Sequence, residues 1–523
     1  MPGEANLIAQ ASGRTDDDDV PDHLHRSPLR SGPNALAGGV LGPAALRPLL
    51  ETVLDALALG AADRNGPIPG SSHSSIAAAA RTAVGDDFLP ETGIGAHAAL
   101  GDLTRMFAAA AADPADPRCA AHLHCPPLAV AVAADLAAAA LNPSLDSWDQ
   151  APSGTALEPE VVAALAELVG FAADAAGSIT SGSTESNLMG LLLARDFATR
   201  SGGHETSRHG VTPGDAGRLR VLCSKAAHFS VARSAGLLGL GEDAVLTVDT
   251  HSDHTMDVPA LRRALATLQE RGETAVAVLA TAGTTDLGAI DPLAEIADVA
   301  AEFGTWLHVD AAYGGGALFS LRLAPLLTGL DRADSVALDL HKLGWQPVPA
   351  GIFLTRSADL FAPLERSVAY LNAEDDEQAG YPSLLRRSLR TTRRPDVFKI
   401  AVTLRALGRS GLGALVDRCH DLARHGAARV AAHPRLELFG EPVLSTVLFR
   451  YRPTMPGPDQ NLINAQLRRV LLAEGRAVVG RTEHDGAVWL KLTLLNPHAT
   501  EQDVDALIEA VVTAGDKEGE ETP

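Results

Sequence analysis

The sequence predicts an α/β protein built on a mostly parallel sheet, with a smaller α+β domain after it and a helical segment before it. Three observations carry this. Between about residues 125 and 355, apolar runs of strand length alternate with amphipathic helical stretches, the pattern of a parallel sheet covered on both faces. After about residue 400, a long helical stretch precedes three strand-like runs and a last helix. From about 43 to 112, Ala- and Leu-rich helical patterns are broken by Gly, Pro and Ser, with no strand signal. A length of 523 residues suits two or three folding units. The expected division is disorder over 1–40, a helical segment over 41–125, a large domain over 126–398, a small domain over 399–515 and a tail over 516–523.

Element by element, the first 40 residues are polar and carry the acidic run Asp16–Asp19, a composition that resists packing. LAVAVAADLAAAAL (128–141) is Ala-rich and carries Asp135, so it reads as a buried helix and not a membrane span. Five strands are expected, at RLRVLCS (218–224), TAVAVLATAG (274–283), TWLHVD (305–310), SVALDL (335–340) and GIFLTR (351–356). Helices such as ESNLMGLLLARDFAT, VPALRRALATLQERG and PLAEIADVAAEFG lie among them. One helix is expected over FKIAVTLRALGRSGLGALVDRCHDLARHGAARV. Strands follow at 444–451, 477–482 and 488–495, then a helix over about 500–514 and a disordered GDKEGEETP tail.

Hydrophobic residues are 46% and charged residues 21% of the chain, a balance that permits a large core. A net charge of −22 argues against nucleic acid or an anionic membrane as partner. The four cysteines, Cys119, Cys125, Cys223 and Cys419, have no metal-ligand spacing and read as reduced cytosolic thiols. The first residues lack a basic stretch followed by an apolar one, so no signal peptide is expected and the protein is placed in the cytoplasm.

Four motifs fall where strands end. SGSTESN (181–187) precedes an apolar helix; Thr184, Ser186 and the free N–H groups of the helix start can hold a phosphate. The same residues also suit an ordinary helix cap with Glu185 in the first turn. His228, just after RLRVLCS, can stack on a planar ligand, act as an acid or base, or sit hydrogen-bonded in a core. Asp310 closes LHVD, where a buried carboxylate needs a cation or donors, and Ala312 leaves room for something flat. Asp339, His341 and Lys342 end SVALDLHK. A lysine there is either at the surface or desolvated and nucleophilic, which suits an imine with an aldehyde. Phosphate cradle, stacking imidazole, buried carboxylate and imine-forming lysine are together the parts that pyridoxal phosphate needs.

With these motifs the chain resembles the group II pyridoxal-phosphate amino-acid decarboxylases, from about Asp113 to Thr500. The resemblance rests on AHLHCP (121–126), NPSLDSWDQAPSGT (142–155), TSGSTESN (180–187), AHFSV (227–231), ATAGTTDLGAIDPL (280–293), WLHVDAAYGGG (306–316), DSVALDLHK (334–342) and LRTTRRPD (389–396). DSWDQ, TTRR and KLTLLNP are closest to the lysine/diaminobutyrate branch. The resemblance implies the fold-type I (aspartate-aminotransferase-like) architecture and a homodimer packed through the helical N-terminal segment. It implies that Lys342 carries the cofactor, Asp310 pairs with its ring nitrogen, and His228 and Ala312 cover its faces. Glu185 (by its backbone) and Ser186 would bind the phosphate, helped by Ser335, Asp339 and His341. Thr285 would lie near the cofactor and the substrate carboxylate, and His124 in the segment lining the substrate pocket. A mobile loop, often from the partner subunit, would bring a tyrosine that protonates the product carbanion; Tyr370 matches best and Tyr381 is the weaker candidate.

The implied reaction is decarboxylation of an L-amino acid to an amine. By resemblance the substrate is a diamino acid such as lysine, ornithine or diaminobutyrate. Relatives of that branch read Phe-Phe-Gln-Pro followed by Ser or Cys after the lysine, whereas this chain reads LGWQPVPAG (343–351). Gly344 and Trp345 replace the two aromatic residues and apolar residues replace hydroxyls. A site for a distal ammonium needs acceptors, so these residues favour an apolar substrate such as valine or leucine as the alternative. Aromatic decarboxylation and transamination stand further off.

Overall fold

The computed structural model describes residues 34–85, 87–200, 204–366, 368–453 and 459–521. The disorder expected over the first 33 residues lies outside the described residues. The described chain forms two compact units, one of residues up to Asp63 with Ser74–Ala109, the other of Arg64–His73 with Ala110 onward. The first unit is helical: α1 (Gly42–Arg64), α2 (His73–Val84) and α3 (Ala96–Ala110) supply it. Within it, Thr52 on α1 meets His97 on α3 at 2.7 Å, and Asp63 pairs with Arg105 at 2.6 Å.

The second unit holds two sheets. Their strands are β1 (Cys119–Ala120), β2 (Ala176–Thr180), β3 (Leu219–Ser224), β4 (Val245–Val248), β5 (Thr274–Thr281), β6 (Trp306–Ala311), β7 (Ser335–Asp339), β8 (Gly351–Thr355), β9 (Leu436–Leu438), β10 (Thr446–Tyr451), β11 (Val478–His484) and β12 (Ala487–Thr493). The larger sheet has the order β2-β8-β7-β6-β5-β3-β4. The pairings β7/β6, β6/β5, β5/β3 and β3/β4 are parallel, while β8 runs antiparallel to both neighbours. Residues of β5, β6 and β7 are buried almost throughout, as continuous apolar runs in a doubly covered sheet require. The smaller sheet, β1-β11-β12-β10-β9, has its own core around Val447, Phe449, Leu490 and Leu492.

All five expected strands of the large sheet are present. β2 and β4 are additional. AGSIT carries Gly and Ser, which weaken its strand signal, and VLTV is a run of four residues at the sheet edge, too short to stand out. The stretch 110–125, expected with the helical segment, belongs to the second unit, where β1 pairs in parallel with β11. The helix α4 (Ala129–Leu141) buries only one face, through Ala131, Ala134 and Ala138; Asp135 accepts from Arg394 and lies 3.2 Å from Lys399. Two more helices frame the site, α5 (Pro152–Val169) and α6 (Ser183–Thr199). The single long helix expected after 397 is two, merged over Val397–Ala432 and broken at Gly408, whose φ of +64° is one that glycine adopts freely. The last helix runs from Glu501 to Glu521, through residues expected to be a tail. Among the described residues no helix is long and apolar enough to cross a membrane.

Candidate active site

The carboxyl ends of β5, β6 and β7, with the first turn of α6, enclose a cavity of about 350 Å³. This is where ligands bind in open parallel sheets. β6 delivers Asp310, with Ala312 just after it, and β7 delivers Asp339 followed by His341 and Lys342. Thr184 lies in the first turn of α6, His228 follows β3, and Thr285 follows β5; all of these line the cavity.

Lys342 Nζ lies 2.9 Å from Asp339 Oδ2, so its ammonium is paired although the side chain is mostly buried. Asp339 Oδ1 accepts the N–H of Ser183 at 2.8 Å, tying the end of β7 to the start of α6. His341 Nδ1 accepts from Ala350 N, leaving Nε2 toward Asp339 Oδ2 at 3.5 Å. Burial lowers the pKa of His341, against the opposing pull of Asp339. Asp310 Oδ1 accepts from the N–H of Ala312 at 3.0 Å and Oδ2 from Asn187 Nδ2 at 2.8 Å. Two N–H donors thus face this carboxyl, which lines the cavity. Burial also pushes down the pKa of His228, with Asp310 opposing and Lys342 adding to the shift. Its imidazole is therefore neutral near pH 7.

Several expected residues stand elsewhere. The Ser186 hydroxyl is fully buried between Thr180 Oγ1 (2.8 Å) and the carbonyl of Ile352 (3.2 Å) and does not line the cavity. Ser335 begins β7, the strand end remote from Asp339, and bonds Trp306 and His308. The backbone N–H of Glu185 donates to Gly182 O at 2.9 Å, and its carboxylate faces Ser181 N (2.7 Å) and Arg390 (3.0 Å). His124 is exposed; its neighbour Leu123 lines the cavity instead. Trp345 is completely buried in the main core and donates to Leu495 O at 2.9 Å. At Gly344 a Cβ would come 2.6 Å from Leu340 O, so glycine is what this turn accommodates. Tyr370 is 83% exposed, and Tyr381 packs on Trp148 with ring centroids 4.8 Å apart. Neither tyrosine lines the cavity.

Other residues at the site were not singled out from the sequence. Ser183 and Thr281 line the cavity, and their buried hydroxyls have no partner among the described residues. At a cavity wall such groups are available to a ligand, and the Ser183 hydroxyl, at the N-terminus of α6, suits a phosphate. Tyr313 also lines it and bonds Ser445 and Thr446 of the smaller-sheet region. Lys491 on β12 reaches Asp286 Oδ1 (2.8 Å) and Thr285 O (3.3 Å), holding that loop. At the entry to the phosphate-side loop, Arg393 pairs with Glu158 at 2.5 Å, both nearly inaccessible. Arg393 also donates to Ile179 O, and Ile179 N points at Glu158. The orphaned hydroxyls, the Asp310 carboxyl, the neutral His228 and Lys342 fit pyridoxal phosphate in donors and placement.

Such a fold and site define a pyridoxal-phosphate enzyme. Residues 85–452 match the family described as pyridoxal-dependent decarboxylase conserved domain. The chain is 46% identical over 427 residues to an L-2,4-diaminobutyrate decarboxylase of Rhizobium meliloti (strain 1021), covering 81% of this chain and 83% of that one. An L-2,4-diaminobutyrate decarboxylase of Acinetobacter baumannii is 35% identical over 433 residues, with coverage of 81% and 85%. Among solved structures, the glutamate decarboxylase domain of diaminobutyrate-pyruvate transaminase and L-2,4-diaminobutyrate decarboxylase from Vibrio parahaemolyticus superposes with a TM-score of 0.82. It has 36% identity and coverage of 92% and 97%. The chain belongs to the pyridoxal-dependent decarboxylase family. It is a carboxy-lyase, and its cofactor is pyridoxal phosphate.

Proposed function

We propose that this chain decarboxylates L-2,4-diaminobutyrate, releasing CO₂ and propane-1,3-diamine. The reading is carried by the convergence of Lys342, Asp310 and His228 on one cavity, in a chain whose high-identity relatives are decarboxylases of that diamino acid. Lys342 would bind the cofactor aldehyde and Asp310 its ring nitrogen. His228 and Ala312 would cover its two faces, and Ser183, Thr184 and His341 would receive its phosphate. When bound, pyridoxal phosphate supplies the electron sink into which the bond to CO₂ can break. Asp310, oriented by two N–H donors, would face positive charge at that sink. Asp339 accepts from Lys342 and can hold a proton while the amine changes partners. Thr285, beside the Lys491–Asp286 pair, is assigned to the substrate carboxylate.

Protonation of Cα is assigned to Tyr370, reaching the site from the partner subunit of a cytoplasmic homodimer, with Tyr381 as the weaker candidate. The valine/leucine alternative loses its support. It rested on Trp345 and its neighbours facing the substrate, and Trp345 lies in the core. The residues that line the cavity are mostly polar, with Leu123 and Ala312 the apolar exceptions besides glycine. The test is a panel of diaminobutyrate, lysine, ornithine, valine and leucine, reading amine by mass spectrometry and CO₂ release. Diaminobutyrate is expected to show the highest kcat/KM. Faster turnover of valine or leucine would overturn the substrate, and keto acid without CO₂ would overturn the reaction.

A further inference from the structure

Behind the cavity wall runs a line of buried polar side chains that the reaction itself does not use. Trp306 Nε1 donates to Ser335 Oγ at 2.9 Å, and Ser335 Oγ lies 2.8 Å from His308 Nδ1. His308 Nε2 lies 2.9 Å from Asn187 Oδ1. Asn187 Nδ2 donates to Asp310 Oδ2 at 2.8 Å and to Ser230 Oγ at 3.0 Å. Ser230 Oγ then lies 2.8 Å from His228 Nδ1, and the Ser230 N–H points at the same nitrogen at 3.3 Å. Asn187 is 0% exposed, as are His308 and Ser335.

The direction of every bond follows from groups that have only one role. The Asp310 carboxylate only accepts, so the Asn187 amide must turn Nδ2 toward it and Oδ1 toward His308. Oδ1 only accepts, so His308 carries its hydrogen on Nε2. Burial pushes the His308 pKa down to about 4, so the ring is neutral and Nδ1 is bare. Nδ1 then accepts the Ser335 hydroxyl hydrogen, which leaves Ser335 Oγ to accept the indole N–H of Trp306. At the other end, the second Asn187 hydrogen goes to Ser230 Oγ. The Ser230 hydroxyl hydrogen is then free for His228 Nδ1, which also faces the backbone N–H. With two donors on Nδ1, the His228 hydrogen sits on Nε2.

We infer that Trp306, Ser335, His308 and Asn187 are positioning residues, a one-way chain of donors that holds Asp310 as an acceptor and fixes His228 as the neutral Nε2–H tautomer. The consequence for the cofactor is electrostatic. A neutral ring can lie against a protonated pyridinium, whereas an imidazolium would repel it. Gly190 on α6 supports the same assignment, because a Cβ there would come 2.6 Å from His308 Nδ1. The helix keeps a space that the imidazole fills.

The inference rests on the family assignment and is independent of which amino acid is the substrate. The test is ¹⁵N NMR of the full chain labelled at histidine, with and without pyridoxal phosphate, near pH 7, assigned through His228→Gln and His308→Gln. Expected are a bare Nδ1 and a protonated Nε2 for both rings. A second arm uses His308→Phe, with folding checked by thermal melting. It is expected to let both His228 tautomers appear and to weaken cofactor Kd about tenfold, the worth of one hydrogen bond to a charged partner network. His308→Gln, which keeps a donor near the Nε2 position, is expected to restore both. A wild-type His228 protonated on Nδ1, or on both nitrogens, overturns the inference. So does a folded His308→Phe protein with unchanged tautomer and affinity. Should His308→Phe fail to fold, the wild-type spectrum decides alone.

Discussion

Replacing Arg393 by methionine is expected to destabilise the protein severely and to loosen the phosphate-side loop. Arg393 and Glu158 are each 2% exposed at the side chain and meet at 2.5 Å. Their position explains what they do. β2 is an edge strand, paired on one side with β8 and unpaired on the other. On that free side, Arg393 donates to Ile179 O at 3.3 Å, and Ile179 N faces Glu158 Oε1 at 3.5 Å. The ion pair therefore occupies the edge groups of the strand that leads into Gly182 and Ser183. Arg393→Met leaves a buried, unpaired carboxylate, an effect of about 3–5 kcal/mol. Glu158→Leu leaves a buried guanidinium with a similar loss. The double replacement removes both charges and leaves the Ile179 N–H unsatisfied, about 1–3 kcal/mol, while Arg390 still donates to Ile179 O at 3.4 Å. It should thus be more stable than either single variant, with a favourable coupling of several kcal/mol in the double-mutant cycle. Urea unfolding of the cofactor-free protein followed by circular dichroism measures this, and fluorescence titration measures cofactor affinity, which should fall in both single variants. Unfolding of Arg393→Met within about 1 kcal/mol of wild type at unchanged m, or two single losses that simply add, would refute this role of the ion pair.

Gly190→Ala would ordinarily gain about 1 kcal/mol of helix propensity. With its Cβ 2.6 Å from His308, overpacking of about 1–3 kcal/mol should prevail, and a raised Tm would refute this. The depressed His308 pKa, about 4 against a usual 6.5, predicts acid sensitivity. Between those values the unfolded chain takes up a proton that the folded chain does not, so the stability present above pH 6.5 is lost as pH falls toward 4. His228 and His341, also shifted down by burial, act in the same direction. Urea midpoints of cofactor-free wild type and His308→Gln from pH 4.5 to 7 isolate the His308 share, and parallel curves would refute it. Tyr370→Phe is expected to lower kcat about 10²- to 10⁴-fold, the range for a proton donor, with cofactor absorbance unchanged. Tyr381→Phe should have little effect, and the reverse outcome would exchange the two assignments.

What could be read from the sequence and what could not divide along a physical line. Asp310, Asp339, His341 and Lys342 are legible because a buried parallel strand displays its chemistry at its carboxyl end, next to residues contiguous in the chain. The large-sheet strands are legible because β5, β6 and β7 are buried almost throughout and read as largely apolar runs. Ser186 and Ser335 belong to the right motifs, but their hydroxyls meet Ile352 and Trp306 away from the cavity. Facing was decided by the pairing of α6 with β8 and by which end of β7 a residue occupies, and neither is written locally. β8 turns antiparallel within the short connection after Leu340, a reversal that no periodicity announces. Helical phase does offer one signal. Asn187 lies four residues after Ser183 on α6, so the two share a face, and a polar residue inside an otherwise buried helix needs partners. What the phase cannot reveal is the partner's identity. Glu158 with Arg393 and Asn187 with His308 are joined across 235 and 121 residues. The groups that touch the cofactor therefore stand out one motif at a time, while the groups that hold them in place become visible only when the sheet order brings distant motifs together.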